Sequence, residues 1–113
     1  MHCLFCRIAA KELPATIRYE DDTFIAIDDI HPKAPTHILI MPKNHVLASL
    51  ADAGEQHRDL LGLLLQQVAH VARVVGVDEK GYKVVINTRE HGGQTVDHLH
   101  VHVLGGEPVK MLV

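Results

Sequence analysis

A chain of 113 residues with 47% hydrophobic content is long enough for one modest core and too apolar to remain disordered. Eleven basic residues against fourteen acidic ones leave a formal net charge of -3, and the basic residues are scattered, which argues against a nucleic-acid polymer as partner. The most apolar stretch, residues 60–75, is interrupted by Gln66, Gln67, His70 and Arg73, so it does not read as a membrane span.

The opening residues, Met1-His2-Cys3-Leu4-Phe5-Cys6-Arg7, hold too short an apolar run for a secretory leader. Two cysteines cannot build a secreted disulfide framework, so the expected compartment is the cytoplasm. Residues 3–12 predict a short helix ended by Pro14. Residues 16–20 and 23–28 predict two short strands around the turn signal Asp21-Asp22. Pro32 and Pro35 mark a loop, and residues 37–41 a strand closed by Pro42. Asp52 with Glu55 three residues later resembles a capping box and predicts the start of a long helix. That helix runs to about Val75, with Gly76 as its stop.

Leu61, Leu64, Leu65, Val68, Val71, Ala72 and Val75 give the long helix one broad apolar face, and Leu60, Leu63 and Val74 extend it. Two readings follow: a helix buried in its own core, or one packed against both its own sheet and a partner subunit. Residues 81–87 predict a strand, residues 90–95 a glycine-bearing loop, and residues 96–104 a last strand. Because strands and helices do not alternate as βαβ units, the pattern predicts an α+β fold with an antiparallel sheet, in one domain over residues 1–113.

The last strand carries the run His98-Leu99-His100-Val101-His102-Val103. Alternate residues of a strand share a face, so three imidazoles would lie on one side, with neighbours roughly 6.6–6.8 Å apart, and Leu99, Val101 and Val103 on the other. Three readings fit this face: a metal site, nucleophilic catalysis by imidazole, or solvated surface histidines. The pairs Gly92-Gly93 and Gly105-Gly106 flank the run, and such pairs can let backbone N–H groups approach an anion. No Walker-type or dinucleotide glycine motif is present, which argues against a kinase or Rossmann site.

The segment Gly93-Gln94-Thr95-Val96-Asp97-His98-Leu99-His100-Val101-His102-Val103-Leu104-Gly105-Gly106 resembles the signature of the histidine-triad (HIT) superfamily, and the trailing glycine pair its Hint branch of purine nucleoside phosphoramidases. Phe5-Cys6-Arg7-Ile8, Tyr19-Glu20-Asp21-Asp22, Ala34-Pro35-Thr36-His37 and Met41-Pro42-Lys43-Asn44-His45 extend the likeness over nearly the whole chain. The resemblance implies a sheet of about five antiparallel strands with one long and one short helix, dimerising into a continuous larger sheet. It implies hydrolysis of nucleoside 5'-phosphoramidates and acyl-adenylates through a covalent nucleotidyl-histidine, with purine nucleoside monophosphate derivatives as ligands. The alternatives are a purine-nucleotide-binding interaction protein with little turnover, or a dinucleotide polyphosphate hydrolase.

By the same resemblance His100 would be the nucleophile and His102 the partner of the phosphate oxygens. Thr95 would contact phosphate and help protonate the leaving amine, with His37 supporting the triad. Gly93 and Gln94 would complete the phosphate pocket. Asn87 would lie near phosphate and ribose, Asp29 would accept from the ribose hydroxyls, and Ile8, Ile27 and Ile30 would line the base pocket.

Cys3-Leu4-Phe5-Cys6 is half of a zinc ligand set. A redox pair of the thioredoxin kind would follow a strand, and none is predicted before Cys3; a reduced, buried pair is the other alternative. The resemblance implies the full set Cys3, Cys6, His45 and His98, holding a structural zinc that takes no part in catalysis, and no other cofactor.

Overall fold

The computed structural model describes residues 3–110. Helix α1 (Leu4–Ala9) is followed by strands β1 (Ile17–Glu20), β2 (Phe24–Asp28) and β3 (Thr36–Pro42), then helix α2 (Arg58–Val74), strand β4 (Lys83–Val85) and strand β5 (Val101–Gly105). Among the described residues the strands form one antiparallel sheet in the order β1-β2-β3-β5-β4. The α+β fold with one short and one long helix matches the expectation from sequence.

The sheet is buried on both faces, which explains why β2 and β3 are nearly continuous apolar runs rather than alternating ones. On one face Ala26, Ile38, Ile40, Val101 and Val103 pack against Leu64, Val68, Val71 and Ala72 of α2. On the other, Ile25, Ile27, Leu39 and Met41 pack against Phe5 and Ile8 of α1. Leu64 is among the fully buried side chains, and truncating it to alanine would cost roughly 2–5 kcal/mol. Leu39 lies opposite His102 in the β3–β5 register, so His102 belongs to the α1 face.

Helix α2 begins at Arg58, six residues after the predicted start. Asp52 cannot cap it, because its carboxylate accepts from the Ser49 hydroxyl at 2.9 Å and from the Arg89 guanidinium at 2.7 Å. Two single 3-10 turns, Leu50–Asp52 and Glu55–His57, fill the interval, separated by extended backbone at Gly54. The predicted stop holds. Gly76 has φ +80, its N–H donates to the Arg73 carbonyl, and the Val77 N–H donates to the Ala72 carbonyl, which together make a Schellman end. The helix face is narrower than its sequence suggests: Leu63, Leu65 and Val74 are 48%, 56% and 51% exposed, so Leu65 is not a core residue of this chain.

The last strand is also shorter than predicted. Its ladder with β3 runs from Ile40–Val101 to Thr36–Gly105 and stops there, because Met41 and Pro42 pair only with β2. Residues 96–100 are held outside the sheet by the His98 N–H on the Val96 carbonyl and the Leu99 N–H on the Leu47 carbonyl. Only His102 of the three histidines therefore lies on a strand. The alternation of faces nonetheless continues through the irregular segment, since Leu99 joins the α2-side core while the rings of His98 and His100 contact Phe5 on the other side. No helix among the described residues is long and apolar enough to cross a membrane.

Candidate functional site

At the N-terminal end of the histidine run, four ligand-type atoms from Cys3, Cys6, His45 and His98 lie within 4.8 Å of one another. Cys3 and Cys6 arrive together because Cys3 is the N-cap of α1, with its Sγ accepting from the Cys6 N–H at 3.4 Å. The loop after β3 brings His45. The His98 Nε2–H donates to the Pro42 carbonyl at 2.7 Å, which leaves the Nδ1 lone pair facing the sulfurs.

That nitrogen lies 3.3 Å from Cys3 Sγ and 3.5 Å from Cys6 Sγ, and His45 Nδ1 lies 3.6 Å from Cys6 Sγ. Tetrahedral zinc separates adjacent sulfur and nitrogen ligands by about 3.6 Å, from Zn–S near 2.3 Å and Zn–N near 2.0–2.1 Å. One lone pair cannot accept well from two thiols, whereas a cation between the four groups satisfies all of them. Burial and the neighbouring Cys3 sulfur push the Cys6 thiol up to about 11. These residues fit a closed Cys₂His₂ zinc set.

Farther along the run the chemistry changes. The His100 Nδ1–H donates to the His98 carbonyl at 2.7 Å, so Nε2 keeps its lone pair. His37, at the start of β3, accepts the Lys33 N–H on Nδ1 at 3.0 Å. Its proton is therefore on Nε2, which lies 2.9 Å from His102 Nδ1 and 3.3 Å from the Asp29 carboxylate. His102 Nδ1 accepts, and the proton of His102 is on Nε2. That Nε2 is buried without a hydrogen-bond partner. A buried N–H left unmatched costs roughly 1–3 kcal/mol and suits an incoming acceptor. Asp29, His37 and His102 also bring three ligand-type atoms within 4.8 Å, but this hydrogen-bond relay accounts for their approach.

Burial holds His37, His98 and His100 below the ordinary histidine value. His102 is pushed down to about 4, first by burial and then by the His100 and His37 rings beside it. All four are uncharged near pH 7, as a ligand or a nucleophile must be. The rings of His100 and His102 are 5.1 Å apart, so a lone pair and a free N–H sit on neighbouring rings.

The remaining predicted residues are distributed unevenly. The Gln94 carboxamide is engaged with the backbone: Oε1 accepts the Arg89 N–H at 2.8 Å, and Nε2 donates to the carbonyls of Ala48 and Val96. It pins the loop and holds Arg89 at φ +57, a backbone region unfavourable for any residue but glycine. Gly93 turns at φ +79, Thr95 is exposed, and Asn87 is half-buried. Ile8 and Ile27 are core residues of the α1 face, whereas Ile30 is 84% exposed. Gly105 and Gly106 are required by close packing: a Cβ on Gly105 would lie 3.0 Å from Val77 Cγ1, and one on Gly106 3.1 Å from Pro35 Cβ.

Sequence reasoning missed Phe5. Its ring lies edge-on to His98 and His100, with centroid distances of 5.9 and 4.9 Å. An isolated phenylalanine beside a cysteine carries no signal of that contact. Equally invisible were the Pro42 carbonyl and the Lys33 N–H, which set two of the tautomers.

A family model described as HIT domain matches residues 10–109. A purine nucleoside phosphoramidase of Escherichia coli (strain K12) is 42% identical over 106 residues, covering 94% of this chain and 88% of that protein. A 14 kDa zinc-binding protein of Zea mays is 49% identical over 104 residues, covering 91% of this chain and 80% of that protein. Among solved structures, a histidine triad protein from Clostridium difficile superposes with a TM-score of 0.93 at 39% identity, covering 100% of this chain and 97% of that one.

Proposed function

The chain belongs to the HIT domain family, and from that premise we propose that it hydrolyses purine nucleoside 5'-phosphoramidates and related nucleoside monophosphate derivatives by way of a nucleotidyl-His100 intermediate. The observation that carries this reading is the pairing of a His100 Nε2 lone pair with a buried, unmatched His102 Nε2–H on the adjacent ring. A phosphoryl group needs a nucleophile on one side and donors to its oxygens on the other.

His100 Nε2 attacks the α-phosphorus and forms an N–P bond. The scissile P–N bond breaks, and its electron pair leaves on the amine, which takes a proton from the Thr95 hydroxyl or from water. The His102 N–H donates to a phosphate oxygen as charge accumulates there. A water molecule then attacks phosphorus and returns one proton to the Thr95 oxygen or to the hydroxide left by the first step; the His100–phosphorus bond breaks with its electron pair returning to Nε2, and the nucleoside monophosphate departs. Asp29, which already receives the His31 N–H on Oδ1 and lies 3.3 Å from His37 Nε2, would accept from the ribose hydroxyls, and Asn87, in the segment after β4, would approach the phosphate and ribose from the other edge of the sheet. Ile8 and Ile27 form the apolar floor under the base, and exposed Ile30 covers it. Gly93 gives the phosphate loop its turn, and Gln94 acts through the shape of that loop.

Cys3, Cys6, His45 and His98 hold zinc in this reading, which the zinc-binding relative supports. Zinc there would supply a cross-link between α1, the loop after β3 and the histidine segment rather than a reacting centre, since protein fills all four positions. A homodimer would cover Leu63, Leu65 and Val74 of α2 and Val84 on the edge strand β4, all exposed here. Sedimentation tests that point, and a clean monomer would remove it.

The enzyme reading is tested with a fluorogenic adenosine phosphoramidate. The wild type turns over, and His100→Ala loses on the order of a thousandfold or more in rate. An inactive wild type would end the enzyme reading and leave a nucleotide-binding protein. An active His100→Ala would end the assignment of the nucleophile.

A further inference from the structure

The two halves of the histidine run touch through more than their shared backbone. Cys3 and Cys6 bracket Phe5 on α1, and Phe5 is buried against the rings of both His98 and His100. The edge-on contact with His100 is tight, at 4.9 Å and 81°. The other route is the His98 carbonyl, which accepts the His100 Nδ1–H at 2.7 Å while the His98 ring faces the two sulfurs. The cysteine–histidine cluster therefore reaches His100 by a packing contact and by a hydrogen bond.

We propose that the Cys3–Cys6–His45–His98 clip and Phe5 together form a positioning device for His100, in which metal binding sets the direction of the reactive Nε2 lone pair. The proposal rests on His100 being the nucleophile, as argued above. Its physical basis is the weakness of α1 as a free element. Six residues make a helix far too short to persist alone in water. It stays because Phe5 and Ile8 are buried under the sheet and because its N-cap cysteine is tied to His98. Releasing the sulfurs frees the end of α1 that carries Phe5. The His100 ring then loses the edge that restrains its tilt, so Nδ1 can swing off the His98 carbonyl, and the His98 ring keeps only its Pro42 hydrogen bond as an anchor. An imidazole without that acceptor can exchange tautomers, and the Nε2–H form presents no lone pair to phosphorus.

The test uses the zinc-loaded chain, the same chain after chelation, and zinc-loaded Phe5→Leu, which keeps apolar volume but removes the ring edge. Two readouts are taken. Long-range proton–nitrogen NMR reports whether His100 carries its proton on Nδ1. Rapid-mixing kinetics reports kcat for nucleotidyl-enzyme formation at saturating fluorogenic adenosine phosphoramidate. The expected result is a single Nδ1–H tautomer in the loaded wild type and a mixture after chelation and in Phe5→Leu. The rate should fall tenfold or more in both, with the loss in kcat and less than a threefold change in KM on chelation. If chelation unfolds the chain, zinc-loaded Phe5→Leu decides by the same two readouts. A folded, metal-free chain with His100 still wholly Nδ1–H and kcat within twofold overturns the proposal, as does the same result in Phe5→Leu. If the loaded wild type does not turn over at all, the proposed activity fails instead, and the tautomer readout still decides the coupling.

Discussion

His98 and His100 are two residues apart, both buried, and both donate one ring N–H to a backbone carbonyl, yet they leave opposite ring nitrogens free. His98 gives its Nε2–H to Pro42 and turns Nδ1 toward two sulfurs. His100 gives its Nδ1–H to the His98 carbonyl and leaves the Nε2 lone pair free. The difference lies in which ring nitrogen meets a carbonyl, and therefore in the backbone around each ring rather than in residue type. His102 is a third case, since it accepts from His37 and is left with a free N–H. One run of three histidines thus presents a lone pair beside two sulfurs, a free Nε2 lone pair and an unmatched N–H, which the proposed function uses as ligand, nucleophile and donor.

The sharpest break between the two ends comes from replacing His100 with asparagine. The side-chain amide can still donate where Nδ1–H did, but it offers no nucleophilic lone pair. His100→Asn should lose on the order of a thousandfold or more in turnover and retain its zinc. Elemental analysis beside the kinetic assay checks both halves, and loss of zinc in this variant would mean that the two ends are not separable. Cys6→Ala makes the complementary break. With metal at a thousand times its dissociation constant, the lost linkage is about 4 kcal/mol, which for a domain of this size lowers Tm by roughly 10 °C or more. Calorimetry with and without added zinc measures it; a wild type whose Tm ignores both zinc and chelator would contradict the clip.

A smaller effect is expected at His37, which acts on His102 and not on the metal end. His37→Ala removes the donor that fixes the His102 tautomer and leaves His102 Nδ1 unmatched. Turnover should fall roughly tenfold to a hundredfold, as for one buried hydrogen bond and its consequences, with zinc content unchanged. Wild-type kcat/KM in this variant would show that His102 needs no partner to present its N–H.

Much of this arrangement was legible in the residues. The alternation of His98-Leu99-His100-Val101-His102-Val103 correctly separated the α2-side core residues from the imidazoles, even though the ladder begins only at Val101. Faces follow from backbone alternation, which the segment keeps; the ladder depends on what β3 does at Met41 and Pro42, a property of another strand. Gly76 announced the end of α2 because helix stops are local. The start was misread because the Asp52 carboxylate is taken by Arg89, thirty-seven residues away. The cysteine pair gave half of its site, but Phe5 and the three tautomers depend on tertiary neighbours that no local pattern encodes.

The gentlest probe of the comparison is acid, because it charges the His102 end without altering a side chain. His102 sits at about 4 in the folded chain against an ordinary 6.5, and His37 is lowered as well, both mainly by burial. The groups around His102 are His100 and His37, with Asp29 and Lys33 adding charges of opposite sign. Between pH 6.5 and 4 the unfolded chain binds a proton at residue 102 that the folded chain refuses, so stability falls as pH falls through that window. It is fully present above 6.5, and the loss levels off below 4. The slope from this one group is at most about 1.4 kcal/mol per pH unit. His102→Gln removes this titration while leaving Cys3, Cys6, His45 and His98 in place, so the difference between variant and wild type isolates His102 from proton uptake at the cysteine–histidine cluster. Urea midpoints measured from pH 7 to pH 4 should fall more steeply in the wild type than in His102→Gln. Parallel curves would mean that the acid sensitivity of the fold resides in groups other than His102, and that the burial of His102 carries no cost in protonation.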